Sequence, residues 1–399
     1  MTSERETPIR NAVFDEPLAI IGGGIGGLTA ALALQRFGFR VTVYEQAHQL
    51  REIGAGVTIT PNAMHALDFL GVGPRVLEAS GEAPRYEVCD AGSGRILELG
   101  PPAEEVRPRF GAAYVNARRA DLHTALVDAI LERDPDCVRL DHRFEHLEQD
   151  ADGVDVRFGN GEHIRAAAVI GCDGGASRVR SVVFGHEEAA YTGQTAFRAL
   201  LPAAAVPAEI IAAPYRVYVG RGRTLVHYQV HRGEYMNLIG IVLEPNWQDE
   251  GWSIPAEPDE FVGQFTEFPE PVRKLIQAVP PGSLFKWGLR DRSPLETWTN
   301  GRVTMLGDAA HPFLPFLGQG ACIAIEDGLV LGRALADTPD LEQGFARYEA
   351  ARRQRANGLQ LASREQARHH QGVAGDRPSP GNTAAARGLF TYNPATIPI

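Results

Sequence analysis

A short apolar run near the start of the chain, Leu18-Ala19-Ile20-Ile21, stops at Gly22-Gly23-Gly24-Ile25-Gly26-Gly27 and resumes as Leu28-Thr29-Ala30-Ala31-Leu32-Ala33-Leu34. The pattern predicts a buried strand, a glycine turn and a helix of good helix formers. The helix should end at Phe37-Gly38, and the β-branched alternation of Arg40-Val41-Thr42-Val43-Tyr44-Glu45 predicts a second strand that closes on a carboxylate. Residues 17–45 thus read as one βαβ unit. Leu18–Leu34 is uncharged, but it holds five glycines and falls short of the ~20 apolar residues a membrane span needs.

Further along, the turn Ala91-Gly92-Ser93-Gly94 predicts a hairpin over Tyr86–Leu99, and Ala120–Leu131 reads as an amphipathic helix. Phe144–Ile164 holds three short strands broken at Asp150-Ala151-Asp152-Gly153 and Gly159-Asn160-Gly161, an antiparallel meander. It leads into a strand, Ala167–Gly171, that ends at Cys172-Asp173-Gly174. The β-rich runs Tyr191–Leu201, Tyr215–Val219, Thr224–Val230 and Tyr235–Leu243 then mark a second, sheet-dominated unit, followed by a Pro-rich helical stretch through Val279. Arg302–Leu306 is a strand ending at Gly307-Asp308. Gly320–Leu335 is a helix, Leu341–Ala367 a long polar helix, and Gly372–Gly388 is rich in Gly, Pro, Ala and Asn.

Composition narrows the function. The 399 residues carry 39 Lys+Arg against 50 Asp+Glu, a formal charge of −11, which disfavours a nucleic-acid partner. Lysine occurs only at Lys274 and Lys286, so the positive charge is nearly all guanidinium, suited to bidentate contact with carboxylate or phosphate. Cys89, Cys137, Cys172 and Cys322 lie far apart without metal-ligand spacing, so no metal site is expected and the chain reads as a cytoplasmic protein in a reducing compartment. The N-terminus has no apolar signal region.

The spacing Gly22-x-Gly24-x-x-Gly27 has a physical purpose. The first glycine allows the tight turn, the second lets the backbone approach a pyrophosphate, and the third lets the helix pack on its strand with free amides facing the anion. Glu45, 21 residues after Gly24, is placed to accept from a ribose 2′-OH. It would repel a 2′-phosphate, so the nucleotide expected here is FAD or NAD. No second strand–GxGxxG–helix unit exists. A nicotinamide donor therefore has no domain of its own, and disulfide reductases are excluded.

Three ordered motifs carry a resemblance: the glycine fingerprint, Cys172-Asp173-Gly174-Gly175-Ala176-Ser177-Arg178-Val179-Arg180, and Val303-Thr304-Met305-Leu306-Gly307-Asp308-Ala309-Ala310-His311-Pro312. With Asn116–Leu122 and Gly318–Asp327, they make the chain similar to the flavin-dependent aromatic hydroxylases of the p-hydroxybenzoate hydroxylase family, among them salicylate, 3-hydroxybenzoate and 6-hydroxynicotinate monooxygenases. The resemblance implies an α/β fold: a Rossmann-type FAD-binding domain of the GR2-like kind, with an inserted β-sheet-rich substrate domain and a C-terminal helix. The expected division is residues 1–185 (FAD-binding, first part, with the meander over 143–166), 186–284 (substrate-binding sheet), 285–371 (FAD-binding, second part, and long helix) and 372–399 (a loosely ordered tail).

It further implies cofactor contacts at Gly22, Gly24, Ile25, Gly26, Gly27, Glu45 and Val57. Asp308 matches an acid on the ribityl chain, Gly320-Ala321 a helix start presenting amides to the flavin, and Arg119 and Arg51 cofactor-side arginines. Asp173 matches a residue shared by FAD and the transient nicotinamide. Arg51 and Arg119 read equally as surface ion-pair partners, and Asp173 as a helix N-cap. In Thr224-Leu225-Val226-His227-Tyr228, alternation puts Thr224, Val226 and Tyr228 on one face and His227 on the other. Tyr228 matches a phenol-contacting tyrosine, whereas Thr224 stands where relatives often have His. Pro315 matches a proline facing the hydroxylation site, and Arg198 and Arg216 are candidates for a substrate carboxylate.

The implied activity is hydroxylation of a small phenolic or hydroxypyridine acid with FAD, NADH or NADPH and O2, through a flavin C4a-hydroperoxide. The alternatives are another electron-rich ring (urate, a quinolone, a polyketide phenol) or a non-oxygenase flavin reductase. Expected partners are the small aromatic and O2, with no nucleic acid or membrane, in a monomer or homodimer.

Overall fold

The computed structural model describes residues 16–50, 55–212, 215–247, 251, 253–370 and 388–399. The predicted βαβ unit forms from β1 (Leu18–Ile21), α1 (Ile25–Arg36) and β2 (Val41–Tyr44). It belongs to a six-stranded sheet in the order Thr299–Asn300, Val303–Met305, Ala168–Gly171, β1, β2, Val138–Arg139. All pairings are parallel except that of the edge strand Thr299–Asn300. Every residue of β1 and of Ala168–Gly171 is buried, as parallel strands covered on both faces require. The meander packs into the same core through Phe144, Val154, Val156 and Phe158. Helix Gly320–Ala336 crosses α1 so closely that a Cβ on Gly328 would lie 2.8 Å from the Ala30 nitrogen.

The carboxyl ends of β1, Ala168–Gly171 and Val303–Met305 therefore emerge side by side, carrying Gly22, Asp173 and Asp308. That edge is where an open α/β sheet binds its ligand.

A second sheet of eight strands lies beyond it, in the order Ile254–Pro255, Leu284–Asp291, Ala190–Pro202, Tyr235–Leu243, Arg223–Val230, Tyr215–Gly220, Tyr86–Asp90, Ile96–Leu99. Its strands are drawn from both sides of the 186–284 stretch as well as from within it. The hairpin from within residues 1–185 joins the sheet because Tyr86–Asp90 pairs in parallel with Tyr215–Val219. At the other end, Leu284–Asp291 pairs with Ala190–Ala199 and runs beyond residue 284. One face of this sheet packs on Phe261, Phe265, Phe268 and Val272, from the two short helices behind it and the turn between them.

The long helix spans Leu341–His370. Within 388–399 both Leu389 and Phe390 are buried. Arg333 donates to the carbonyls of Pro394 and Ile397 at 2.7 and 2.9 Å, so this segment is packed and hydrogen-bonded; residues 371–387 lie outside the described residues. Among the described residues no helix is long and apolar enough to cross a membrane.

Candidate active site

The fingerprint turn is tight where packing demands it and open where a ligand needs room. Gly22 has φ +110°, and a Cβ there would lie 2.5 Å from the Cys172 carbonyl oxygen; a Cβ on Gly27 would lie 2.1 Å from the Gly22 oxygen. Gly26 faces Leu306 and Ala324 at short range, whereas a Cβ on Gly24 would meet nothing within 4 Å. Gly24 is the N-cap of α1, Ile25 its first, buried residue, and no side chain caps the helix, so its first amides are available to an anion. Glu45 stands at the end of β2 beside them, its carboxylate accepting from the Gly23 amide at 2.7 Å and the Ala47 amide at 2.9 Å. His123 Nε2 lies 2.9 Å from the Gly23 carbonyl, a support for the turn that sequence reasoning missed.

Seven sequence-predicted positions meet in one cavity of about 340 Å³: Val57, Arg119, Tyr228, Asp308, Pro315, Gly320 and Ala321. Gly307, with φ +60°, turns the chain after Val303–Met305 and delivers Asp308 to the cavity. Asp308 lies deep in the protein, yet solvent reaches it through the cavity. Burial raises its carboxyl above the usual range, opposed by His311 and Arg119. Helix Gly320–Ala336 starts at the cavity wall with no side-chain cap. Gln319, its N-cap residue, donates to Thr60 Oγ1 at 3.1 Å and accepts from Asn62 at 3.2 Å.

Asp173 does not line this cavity. Its Oδ2 accepts from the Arg178 and Val179 amides at 2.7 and 3.1 Å, and Ser177 Oγ donates to its Oδ1. The carboxylate is thus engaged at the start of helix Arg178–Phe184, whose N-cap residue is Ser177, its hydroxyl accepting from the Arg180 amide. Arg51 lies outside the described residues.

The second sheet roofs the cavity, and strand parity decides which side chains face it. Thr224, Val226 and Tyr228 line it from one strand, and Tyr215, Val217 and Val219 from the next. His227 therefore points to the far side, fully buried beside Tyr218. Burial, helped by the Arg216 charge, pushes its pKa down to about 3. Arg216, of the same parity, donates to Glu87 at 2.7 Å and is removed from the list of substrate-facing arginines. Arg198 remains: it lines the cavity, donates to the Gly56 carbonyl at 3.2 Å and lies 5.8 Å from the Trp287 ring centre. Tyr228 is buried 4.9 Å from Tyr215; burial raises its pKa, with Arg198 and Thr58 acting in the opposite sense.

Two features carried no sequence signal that was read. Tyr86, Tyr114, Tyr215 and Phe390 also line the cavity. Beneath the Asp308 turn, the fully buried Arg352 binds Asp327 at 2.8 Å and Glu326 at 2.7 Å. Asp327 also pairs with His311 at 2.6 Å and accepts from the Gly307 amide at 3.2 Å. Burial alone would raise the Asp327 pKa, but the His311 and Arg352 charges hold it down at about 2.

The sequence profile of the family described as FAD binding domain matches residues 15–362. The chain is 37% identical to a 3-hydroxybenzoate 6-hydroxylase of Polaromonas naphthalenivorans (strain CJ2) over 363 residues, 90% of each chain. It is 33% identical to a 6-hydroxynicotinate 3-monooxygenase of Bordetella bronchiseptica, covering 87% of this chain and 90% of that one. Its fold superimposes with a TM-score of 0.83, at 28% identity, on the crystal structure of Klebsiella pneumoniae HpxO complexed with FAD and uric acid, covering 96% of this chain and 98% of that one.

Proposed function

The chain belongs to the FAD binding domain family, and on that premise we propose that it is an FAD-dependent monooxygenase that hydroxylates a small phenolic or hydroxypyridine acid with NAD(P)H and O2. The observation that carries this reading is the single cavity holding Arg119, Asp308, Gly320 and Ala321 together with Tyr228, Arg198 and Pro315.

The residues present fit the cofactor. The two helix N-termini at the site, one at an open Gly24 and one at the cavity wall, carry no side-chain cap, so each offers amides to an anionic or carbonyl oxygen. In this reading Gly22, Gly24, Ile25, Gly26, Gly27 and Glu45 hold the nucleotide. Val57, Arg119, Asp308, Gly320 and Ala321 hold the ribityl and ring region. When bound, FAD supplies the redox chemistry that accepts a hydride and activates O2.

The protein must then orient the ring, favour its phenolate and exclude water. Among the described residues no histidine lines the cavity, and Thr224 cannot serve as a base at neutral pH. Tyr228 stays protonated because burial raises its pKa. Its hydroxyl can therefore donate to the substrate oxygen and favour the ionised form. Arg198 offers a guanidinium to the substrate carboxylate. Val217, Val219, Val226, Ile239 and Ile241 make the roof apolar. The reading places the enzyme in the cytoplasm, as a monomer or homodimer.

The test is NADH-dependent O2 uptake by the purified FAD-loaded protein against hydroxybenzoates, hydroxypyridine acids, urate and quinolones, with product and peroxide quantified. Uptake stimulated by an aromatic acid, with product matching NADH, supports the proposal. Stimulation only by urate or a quinolone moves the substrate class, and stimulation by none contradicts the monooxygenase reading.

A further inference from the structure

The chain returns to the cavity after the long helix. Gly388, with φ +69°, opens a short 3-10 turn, Leu389–Thr391, that places Phe390 in the cavity wall with only 1% of its surface exposed. Its ring meets Phe110 edge-on at 5.3 Å and lies 5.7 Å from Tyr114. This is the end of the cavity that Tyr86, Tyr114 and Tyr215 enclose, with the Tyr228 ring 4.9 Å from Tyr215.

The segment is held from several sides. Arg352 donates to the Tyr392 hydroxyl at 2.6 Å, and the Arg355 guanidinium stacks 3.7 Å over the Tyr392 ring. Arg352 is itself fixed by Glu326 and Asp327, and Arg333 binds the Pro394 and Ile397 carbonyls. The backbone that carries Phe390 is held by these charge-assisted bonds, and its ring is packed between Phe110 and Tyr114, so both resist displacement by a larger ligand.

We propose that Phe390 sets the size limit of the ring-binding end of the cavity, admitting a single aromatic ring and rejecting a fused pair. The inference rests on the aromatic-acid reading above and goes beyond it by assigning the limit to one residue of the C-terminal segment. Shortening the side chain to Ala opens space that the surrounding frame fills only in part, and that space adjoins the cavity.

The experiment uses the FAD-loaded wild type, Phe390→Leu and Phe390→Ala. Each is titrated with 3-hydroxybenzoate and with a hydroxynaphthoate while the flavin absorption spectrum reports binding. The ratio of the fused-ring Kd to the single-ring Kd should fall at least about tenfold in Phe390→Ala and part of the way in Phe390→Leu. The leucine variant keeps a large apolar group at a buried position and carries the test if the alanine variant fails to fold. An unchanged ratio in a variant that retains FAD, with a wild type that responds to 3-hydroxybenzoate, overturns the Phe390 assignment alone. A wild type whose flavin responds to neither acid overturns the aromatic-acid reading and the size limit together.

Discussion

Asn237 Oδ1 accepts a 2.7 Å hydrogen bond from the amide of Gly56. This bond joins the second sheet to the strand Gly56–Ile59, whose residues Gly56, Val57 and Thr58 all line the cavity. The contact is close: a Cβ on Gly56 would lie 2.6 Å from Asn237 Cγ and 2.7 Å from Tyr228 Cε2. The roof and the cofactor side thus meet where the substrate hydroxyl is expected to sit.

Gly56→Ala should therefore push Tyr228 out of place. Overpacking of this kind costs about 1–3 kcal/mol, visible in urea unfolding, and the fraction of NADH that yields hydroxylated product should fall. An unchanged midpoint with unchanged coupling would show that the roof yields without consequence.

Tyr228→Phe removes the hydroxyl from the cavity while keeping the ring that packs on Tyr215. The expected outcome is slower hydroxylation with more peroxide released per NADH, and a fold as stable as wild type to within about 1.5 kcal/mol, the usual worth of one hydrogen bond. Product yield equal to wild type would remove Tyr228 from its role.

Gly24→Ala tests the cofactor assignment apart from stability. Nothing lies within 4 Å of the added Cβ, so the apoprotein should lose no more than about 1 kcal/mol, the usual cost at an N-cap. The methyl group would stand between the α1 amides and a pyrophosphate, so FAD affinity should drop at least about tenfold, or about 1.4 kcal/mol. Retained yellow colour and an unaltered flavin Kd would place the nucleotide elsewhere.

His227 gives a pH dependence with a definite sign. Burial lowers its pKa to about 3 in the folded chain, from an ordinary 6.5. The unfolded chain therefore binds the proton first, and stability present above pH 6.5 is lost as pH falls towards 3. The slope is at most about 1.4 kcal/mol per pH unit for one group. Denaturant midpoints of wild type and His227→Leu should diverge across that window, with the leucine variant the flatter of the two; parallel curves would contradict the assignment.

Much of the site was legible because its signals are local. The fingerprint turn and Glu45 lie within one βαβ unit, and strand parity alone separates Tyr228 from His227. Long-range pairings were not legible. Nothing near Tyr86–Asp90 announces that it will pair with Tyr215–Val219, so its place in the second sheet could not be read from the sequence. The sequence shows Leu341–Ala367 only as a long polar helix. Yet Arg352 is fully buried, because Glu326 and Asp327 on the neighbouring helix compensate its charge; a partner on another element is invisible to periodicity. Phe390 follows a stretch of Gly, Pro, Ala and Asn, and its burial depends on Phe110 and Tyr114, far off in the chain.

The most direct test of the central claim is the origin of the new oxygen atom. The FAD-loaded enzyme is supplied with NADH, the aromatic acid that stimulates uptake, and oxygen-18-labelled O2, and the product is weighed by mass spectrometry. A monooxygenase must deliver one labelled atom per product molecule. A product whose new oxygen comes from water, or turnover that ends in labelled peroxide with the aromatic unchanged, would contradict the account.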